Sequence, residues 1–445
     1  MTEKMKPSNL CDVMLPVGWE CARFRKLFSF GKGLSITKED LVDEGVPVIS
    51  YGQVHSKANT GTTIHESLIR FVPESYLKTD KQALTQEGNF IFADTSEDLS
   101  GVGNCAFVNT TETLFAGYHS IIARPKDTNM HPKYFAYQFL TDIWRDQIRA
   151  KVMGVKVFSI SQKLLRDTTV FIPPLQEQKA IAKLLDIKCA KIDSVIADIE
   201  KQIEALQKYK KSLITETVTK GLDQSVQMKD SGCKWVSHIP AHWSIKRFKY
   251  LLKYITDGSH FSPETVDEGY PYITAADVRG LGLDYQAAKK ISNQDFIALQ
   301  RTGCQPKVGD VLLVKDGATT GRIGMVTSDY PCVVLSSVAI LRAPESMDCR
   351  YLRYLMESEF VQSQIQASMA GSAMPRTVLS KIVNYLGIEC PKDEQIGICD
   401  YLDEKCANID SIISQKEKQL EAITQHKKSL IYEYVTGKKR VMEVN

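Results

Sequence analysis

Apolar residues recur every seven positions in two separate stretches of the chain. The first series is Leu185, Ile192, Ile199, Leu206 and Leu213, and the second is Leu402, Ile409, Ile423 and Leu430. Four more apolar residues are expected on the same face of the first stretch: Ile181, Val195, Ile196 and Ile203. Lys416 interrupts the second series. A seven-residue period over about four heptads predicts a left-handed coiled pairing of long helices, with the two series as its core.

Prolines and a glycine mark the ends of these stretches. Pro174 and Pro391 precede them, and Gly437 follows the second. Proline is tolerated in the first turn of a helix, and glycine suits the position just beyond its end. The sequence therefore predicts helices over residues 174–221 and 391–437.

The two stretches are copies of one another. Residues 177–214 and 394–431 share 22 identities in 38 positions at a constant offset of 217. The segment Leu-Pro-Val-Gly-Trp at 15–19 returns as Ile-Pro-Ala-His-Trp at 239–243, at an offset of 224. This density of matches indicates an internal duplication, in which each half is a globular domain followed by one long helix.

Within the globular parts the scaffold repeats while the loops differ. The runs 87–93 and 308–314 each predict a turn that leads into a buried strand. The polar loops 94–104 and 315–322 then return into apolar runs, which is typical of hairpins. A helix is expected in both halves, at 132–137 and 349–354. Duplicated modules with different loops suit two related recognition surfaces with different targets.

Composition sets wide limits. The chain has 445 residues, 43% of them apolar and 24% charged, with a net charge of +3. These values fit a soluble globular protein of two or three domains and neither demand nor exclude a nucleic-acid partner. No apolar run is long enough to span a membrane, and the polar N-terminus does not resemble a signal peptide. Eleven scattered cysteines without a CxxC motif predict a reducing, cytoplasmic setting.

Motifs for catalysis are missing from the sequence. It contains no GxxxxGK[ST] phosphate loop, no HExxH and no GxSxG, and no Asn-Pro-Pro-Tyr run to hold a flipped adenine. His238 and His242 flank Pro240 without a third ligand nearby, so a surface position is favoured over a metal site. The sequence thus predicts a chain without an active site, a resident cofactor or a metal.

The order domain, helix, domain, helix resembles the DNA-specificity (S) subunits of type I restriction–modification enzymes. The resemblance covers nearly the whole chain and rests on the 15–19 motif, on the run Pro-Leu-Gln-Glu-Gln-Lys-Ala-Ile-Ala-Lys-Leu-Leu-Asp at 174–186, and on the repeated Ile-Asp-Ser of the helices. The segments 256–263 and 269–273 are similar to the opening of many target-recognition domains. The second copy departs from the pattern at 391–398, where Pro-Lys-Asp-Glu-Gln replaces the fuller proline–leucine signature.

The resemblance implies a mixed α/β (α+β) fold with a pseudo-two-fold internal repeat. Two target-recognition domains would be separated by a pair of long antiparallel coiled-coil helices. The expected boundaries are 1–173 for the first domain, 174–221 for the first helix, 222–390 for the second domain, 391–437 for the second helix and 438–445 for a tail.

The implied function is a non-catalytic reader of double-stranded DNA. Each domain would read one half of a bipartite, asymmetric target, and the helices would set the spacer and dock two methyltransferase (modification) subunits. S-adenosylmethionine would be bound by those partners, whereas ATP and Mg would act with restriction subunits of a larger assembly.

Candidate DNA contacts are polar residues in the predicted loops, because base edges and phosphates are read by paired donors and acceptors. In the first domain they are Tyr51, Gln53, His55, Lys57, Ser96, His119 and Lys156. In the second they are Ser259, His260, Thr274, Arg279, Lys315, Thr319, Thr320, Arg322, Ser336, Ser337 and Arg376. Arg322 and Arg376 are the favoured base readers.

Two alternatives stay open at this point. One is a coiled-coil adaptor whose globular modules bind protein or glycan, which would lack the strong salt dependence of DNA binding. The other is the recognition half of a fused enzyme, and the start at Met1 and the end at Asn445 count against it.

Overall fold

The computed structural model describes residues 15–154, 156–280, 282–369 and 375–441. The chain divides into two compact units. The first comprises Met1–Ile199 and Gln419–Asn445, and the second comprises Glu200–Lys418. Each unit contains one globular domain and one portion of each of two long helices. Within the described residues, no helix is both long enough and apolar enough to cross a membrane.

The first domain is built from short strands in two four-stranded sheets and two strand pairs. The strands are β1 (Glu20–Arg23), β2 (Phe28–Lys32), β3 (Val46–Ile49), β4 (Arg70–Val72), β5 (Leu84–Thr85), β6 (Phe90–Ala93), β7 (Thr95–Ser96), β8 (Cys105–Phe107), β9 (Leu114–Ala116), β10 (Ser120–Pro125), β11 (Phe158–Ser159) and β12 (Thr169–Ile172). The sheets have the orders β2-β10-β6-β8 and β4-β3-β9-β5, and the pairs are β1-β12 and β11-β7.

Short helices pack against these sheets. They are α1 (Phe24–Leu27), α2 (Tyr51–Val54), α3 (Tyr76–Thr79), α4 (Pro132–Phe139), α5 (Asp142–Arg149) and α6 (Gln162–Arg166). Phe24 at the start of α1, Phe139 of α4 and Trp144 of α5 meet in the core with ring centroids 4.5 to 6.1 Å apart. Such aromatic burial is a large part of what holds a domain of short strands together.

The long helix α7 (Leu175–Lys220) leads to the second domain. Its strands are β13 (Met228–Cys233), β14 (Val236–Pro240), β15 (Ser244–Arg247), β16 (Tyr254–Asp257), β17 (Thr265–Val266), β18 (Tyr270–Ile273), β19 (Val278–Arg279), β20 (Gly282–Leu283), β21 (Lys289–Ile291), β22 (Val311–Val314), β23 (Ile323–Met325), β24 (Val333–Val334), β25 (Val338–Arg342) and β26 (Leu386–Glu389). Its helices are α8 (Phe248–Leu251), α9 (Asn293–Arg301), α10 (Cys349–Glu357), α11 (Glu359–Ser368) and α12 (Leu379–Ile382), and α13 (Lys392–Val435) follows.

The second domain repeats the scaffold of the first. Its sheet β16-β25-β22-β23 matches β2-β10-β6-β8, and its pair β15-β26 matches β1-β12. In both domains a parallel pairing (β3 with β9, β18 with β24) lies inside the other four-stranded sheet. The predicted hairpins are confirmed as β6-β8 and β22-β23, and the predicted helices as α4 and α10. The second domain begins with the β13-β14 hairpin.

A glycine lies just beyond the end of each long helix. Gly221 directly follows α7, and Gly437 is the second residue after α13. They have φ of +79° and +73°, a conformation that glycine adopts without strain. Each helix is also fastened near its start by the tryptophan of the repeated motif. Trp19 Nε1 donates to Glu177 Oε2 at 3.0 Å, and Trp243 Nε1 donates to Glu394 Oε2 at 3.0 Å.

The helices pair antiparallel within each unit. In the first unit Lys427 Nζ contacts Asp193, and Arg440 beyond the end of α13 contacts Glu177 near the start of α7. In the second unit Lys210 Nζ contacts Asp410 at 2.7 Å, and Lys416 contacts Gln202. In both units the partner number falls as the α7 number rises. The mixed α/β fold with a repeated domain and a long helix pair is therefore confirmed.

The nine heptad residues are all buried or partly buried. Leu185, Ile199, Leu402, Ile409 and Leu430 are buried, and Ile192, Leu206, Leu213 and Ile423 are partly buried. The expected position of Val195 is wrong, because its side chain is 46% exposed. Its equivalent in the second repeat, Ile412, is 43% exposed. Heptad spacing assigned Val195 to the face of its neighbours, but it lies at the outer edge of that face.

Candidate functional site

In each domain, the residue after the strand β6 or β22 makes the same two backbone hydrogen bonds to the loops beside it. We call this arrangement the shared backbone frame. The residue after β6 is Asp94, whose N–H donates to His119 O at 3.1 Å and whose carbonyl accepts from Ile160 N at 2.7 Å. The residue after β22 is Lys315, whose N–H donates to Ser337 O at 2.8 Å and whose carbonyl accepts from Thr377 N at 2.9 Å. The two domains therefore present the same loop positions with different side chains.

His119 is the most strained residue of the frame in the first domain. Among the described residues it is the only non-glycine with a positive φ, at 52°. Its ring Nδ1 lies 3.1 Å from Asp94 Oδ1, and its side chain is 60% exposed. Strain of this kind persists only where the surroundings fix it, and it clusters at binding and catalytic sites. The loop thus presents an imidazole to solvent in a fixed position.

Aromatic rings gather beside His119. The ring of Tyr51 lies 5.4 Å from that of His119 and 5.6 Å from that of Tyr118, both edge-on. Burial raises the pKa of Tyr118, so its hydroxyl stays protonated at neutral pH. His119 and Tyr118 also line a groove of about 750 Å³ that reaches Lys32 at the end of β2 and Ser159 on β11.

His55 belongs to a second depression of about 340 Å³, which Tyr51, Ser96 and Asp98 also line. His55 Nε2 lies 2.8 Å from Thr95 O, and its Nδ1 lies 3.2 Å from Asn104 Nδ2. A carbonyl can only accept, so Nε2 carries the proton and Nδ1 accepts from the amide. Both ring nitrogens are therefore used inside the domain. This arrangement favours a structural role for His55, which holds the loop in place, and not the predicted contact with DNA.

Carboxylate side chains also line the depression that contains His55. Hydrogen bonds from Ser100 Oγ and Gly101 N lower the pKa of Asp98, which is therefore ionised at neutral pH. Ser96 is buried, and its hydroxyl donates to Asp98 O at 2.7 Å. A fixed carboxylate is an acceptor of the kind that can receive the exocyclic amino group of cytosine.

In the second domain the frame holds an ion pair in its interior. Lys315 Nζ lies 3.3 Å from Asp257 Oδ2, and these side chains are 2% and 18% exposed. His260 Nε2 lies 3.6 Å from the same carboxylate oxygen, with a side chain 72% exposed. Because Lys315 is buried and paired, we infer that it supports the loop and does not make the predicted contact with DNA. His260 keeps its exposed ring at the rim.

Arg376 stands beside this pair. Its Nε lies 2.9 Å from Asp316 Oδ1, and its side chain is 57% exposed. Asp316 and Arg376 also form an antiparallel backbone bridge. Thr320 Oγ donates to Pro375 O at 2.9 Å and so ties the loop after β22 to the segment that carries Arg376.

The other candidates of the second domain occupy several places. Ser259 is buried, and its carbonyl accepts from Ser336 N at 2.8 Å. Thr274 caps a turn through Asp277, and Arg279 Nη2 lies 3.9 Å from Asp284. Arg322 is exposed and makes one long hydrogen bond to Val278 O, at 3.5 Å. Thr319 and Ser337 are partly buried.

In the first domain the remaining candidates separate. Gln53 Oε1 accepts from Ser50 N at 3.1 Å and so caps α2. Lys57 and Lys156 are exposed. The structure therefore brings together Tyr51, His55, Ser96 and His119 in the first domain. In the second it brings together Ser259, His260, Lys315, Ser336, Ser337 and Arg376.

Comparison with known proteins finds similarity to one family. Residues 16–205 match the type I restriction modification DNA specificity domain. The MjaVIII specificity subunit of Methanocaldococcus jannaschii is 26% identical over 304 residues, which are 67% of this chain and 68% of that protein. The EcoKI specificity subunit of Escherichia coli (strain K12) is 21% identical over 436 residues, 95% of this chain and 89% of that protein. The chain is thus similar to type I specificity subunits, and the similarity to the EcoKI subunit extends over nearly its whole length.

The fold of this chain is also found among solved structures. A chain from a structure of complex assembly and conformational transition of the type I R-M system aligns with a TM-score of 0.68 at 14% identity. The alignment covers 96% of this chain and 99% of that chain. This likeness supports the repeated-domain architecture.

Sequence reasoning missed the acidic partners of the candidate loop residues. Asp94, Asp257 and Asp316 each hold a basic or imidazole side chain, yet none was among the candidates. A usable signal was present, since Asp94 and Asp316 lie within the polar loops that follow the buried strands. Contact of the selected residues with DNA stays a prediction.

Proposed function

We propose that this chain is the non-catalytic, sequence-reading subunit of a type I restriction–modification complex, in which each domain reads one half of a bipartite, asymmetric DNA target. The observation that carries the proposal is the shared backbone frame. Asp94 and Lys315 occupy equivalent places after the central strands, and His119 and Ser337 occupy equivalent places in the returning loops. A fixed frame with exchanged side chains allows two related domains to read different bases.

The long helices are proposed to set the spacer and to dock two modification subunits. Val195 and Ile412 support two equivalent docking positions, because they are related by the repeat and are 46% and 43% exposed. An exposed apolar side chain at the same place in both repeats suits contact with another protein. One modification subunit would bind at each position.

The chemistry is proposed to belong to the partners. The modification subunits would bind S-adenosylmethionine and methylate adenine, and restriction subunits with ATP and Mg would complete the larger assembly in the cytoplasm. Among the described residues, no group of three or more histidine, cysteine, aspartate or glutamate side chains could hold a metal ion. This chain's own residues would position bases and phosphates and would carry no step of methyl transfer.

The test is methylation by the reconstituted complex. The chain and its modification subunits are combined, and methylated positions are mapped on a genomic DNA substrate. We expect one bipartite motif, and we expect no methyl transfer by the purified chain alone. Replacing residues 20–170 with the matching part of a relative should change one half of the motif and leave the other intact.

Two outcomes would contradict the proposal. If both halves of the motif changed together, the domains would not be independent readers. If binding to duplex DNA did not strengthen as salt is lowered, the adaptor for protein or glycan would be favoured instead.

A further inference from the structure

One strand pairing of the shared frame carries different side chains in the two domains. In the first domain β7 and β11 pair with Thr95 opposite Ser159. In the second, the equivalent backbone bridge places Asp316 opposite Arg376. The equivalence follows from the frame, because Ile160 N donates to Asp94 O and Thr377 N donates to Lys315 O one residue away from each pair.

The second domain holds this bridge firmly. Gly317 N donates to Pro375 O at 3.0 Å, and Thr377 N donates to Lys315 O at 2.9 Å, so the backbone is fixed on both sides of Arg376. The Asp316 side chain is 29% exposed and is itself 4.0 Å from the buried Lys315 ammonium. The Asp316 carboxylate is therefore held by the Lys315 ammonium as well as by Arg376.

The geometry of the Arg376 ion pair leaves its outer end for a ligand. The contact is made through Nε, at 2.9 Å from Asp316 Oδ1, while the side chain remains 57% exposed. A guanidinium held at Nε directs its two terminal nitrogens away from the carboxylate in one plane. Two parallel N–H donors in a plane match the O6 and N7 acceptors of guanine in the major groove.

The other exposed arginines of this face lack such a partner. Arg322 makes a hydrogen bond of 3.5 Å to Val278 O, and Arg279 lies 3.9 Å from Asp284. An arginine without a fixed partner pays more side-chain entropy to adopt one planar orientation. Such residues suit phosphates, which accept from many directions, better than a base edge.

We propose that Arg376, aligned by Asp316, selects a guanine in the half-site of the second domain, and that the equivalent pair Thr95 and Ser159 leaves the first domain without a guanidinium at this position. The inference rests on the proposed function, since it names the base-selecting residue of one reader. Asp316 is a positioning residue, because it acts on the base only through Arg376.

The experiment uses the full chain assembled with its modification subunits. Methylation is measured on a DNA library in which every base pair of both half-sites is randomised. The variants are R376A, R376K and D316N, and the matched control is R301A, an exposed arginine at the end of α9 that lies outside the frame.

We expect R376A to lower the preference for guanine at one base pair by about 10-fold or more, and to leave the other positions unchanged. R376K should not restore the preference, because an ammonium cannot donate two parallel hydrogen bonds. D316N should weaken the preference at that same base pair, and the double variant D316N/R376A should be no worse than R376A. R301A should keep the full motif.

A uniform loss of methylation on all sequences in R376A and R376K would assign Arg376 to phosphate and overturn the inference. A changed preference in the half-site of the first domain would overturn it as well, as would an unchanged motif in folded R376A or D316N. If the unaltered complex methylated without a bipartite motif, the proposed function itself would fail, which is a distinguishable result.

Discussion

Lys427 donates to both carboxylate oxygens of Asp193, at 2.6 and 2.8 Å, and so joins the second long helix to the first. The internal repeat reproduces this contact. Lys210 lies 217 positions before Lys427 and donates to both oxygens of Asp410, at 2.7 Å each, where Asp410 lies 217 positions after Asp193. One residue pair thus serves twice, once in each unit, to fix the register of the antiparallel helices.

Reversing one charge of this pair should loosen the helix pairing in its own unit. In D193K two ammonium groups would face each other, and the expected cost is about 1 kcal/mol, because the partners are 45% and 23% exposed and partly screened by solvent. The double variant D193K/K427D should recover most of the loss. Hydrogen exchange of the helix amides in both units measures the effect.

The matched control is E204K, which removes a pair on the outer face of α7 with side chains 62% and 73% exposed. It should change exchange little, since an ion pair between two exposed side chains is largely screened by solvent. If D193K and E204K had equal effects, or if the double variant were as weak as D193K, the pair would not set the register.

A buried tyrosine hydroxyl in each domain should contribute unequally to stability. Tyr134 OH donates to Val435 O at 3.0 Å, and this carbonyl is among the last four of α13, which have no partner within the helix. The equivalent Tyr351 OH makes longer contacts, at 3.4 Å to Val218 O and 3.3 Å to Ile388 O. Tyr134→Phe should therefore cost about 1–2 kcal/mol and Tyr351→Phe less.

Native-state hydrogen exchange, followed separately for peptides of each unit, provides the comparison. Both substitutions keep the ring and remove only the hydroxyl, so each serves as the control for the other. An equal or larger loss in Tyr351→Phe would mean that hydrogen-bond length does not govern the difference.

The helices were predictable from sequence because their signal is local and repeated. The seven-residue period, Pro174 and Pro391 before the starts, and Gly437 after the end are each read within a few residues. The pairing of Asp193 with Lys427 could not be read in this way. It depends on which helix faces meet and in what direction, and a charge on a mostly solvated face carries no pattern that singles it out.

For the loops, only their positions along the chain were predictable, and the roles of their side chains were not. Sequence reasoning located the polar segments after the buried strands and favoured Arg376, yet it also chose Lys315, whose side chain is 2% exposed. A lysine in a loop looks the same in sequence whether it faces solvent or a buried aspartate. Asp257, which pairs with Lys315, lies 58 positions earlier in the chain and is brought there by the pairing of β16 with β25.

Burial should protect particular cysteines from alkylation. Burial raises the pKa of Cys105, Cys332 and Cys390 to about 12, so only a small fraction of each thiol is ionised at pH 8. Cys233, on the β13-β14 hairpin, is partly exposed. Since the thiolate is the reactive form, a short iodoacetamide pulse should label Cys233 at least about 100-fold faster than the three buried thiols.

Peptide mass spectrometry of the pulsed chain measures the labelled fractions. In denaturant all four cysteines should react alike, which controls for local sequence effects. Rapid labelling of Cys105 in the folded chain would contradict its enclosure between β6 and the helices of the first domain.

If the helices act as the spacer, their length should determine the distance between the two half-sites of the DNA target. Positions that match by the repeat, Leu206 and Ile423, are not opposite each other, because Gln202 meets Lys416 and Lys210 meets Asp410. To lengthen both helices at positions that lie opposite each other, the insertions must therefore be placed after Ile199 in α7 and after Lys418 in α13. Seven residues in each keep the heptad and add about 10 Å.

B-DNA rises ~3.4 Å per base pair, so the same two half-sites should be recognised with a spacer longer by up to about three base pairs. The added ~100° of DNA twist must be absorbed by bending or by domain tilt, and affinity should fall. Three inserted residues should instead throw the apolar seam out of register and destabilise the pair. Methylation across a library of spacer lengths distinguishes these outcomes. An unchanged spacer preference in a folded seven-residue variant would mean that the helices do not set the distance.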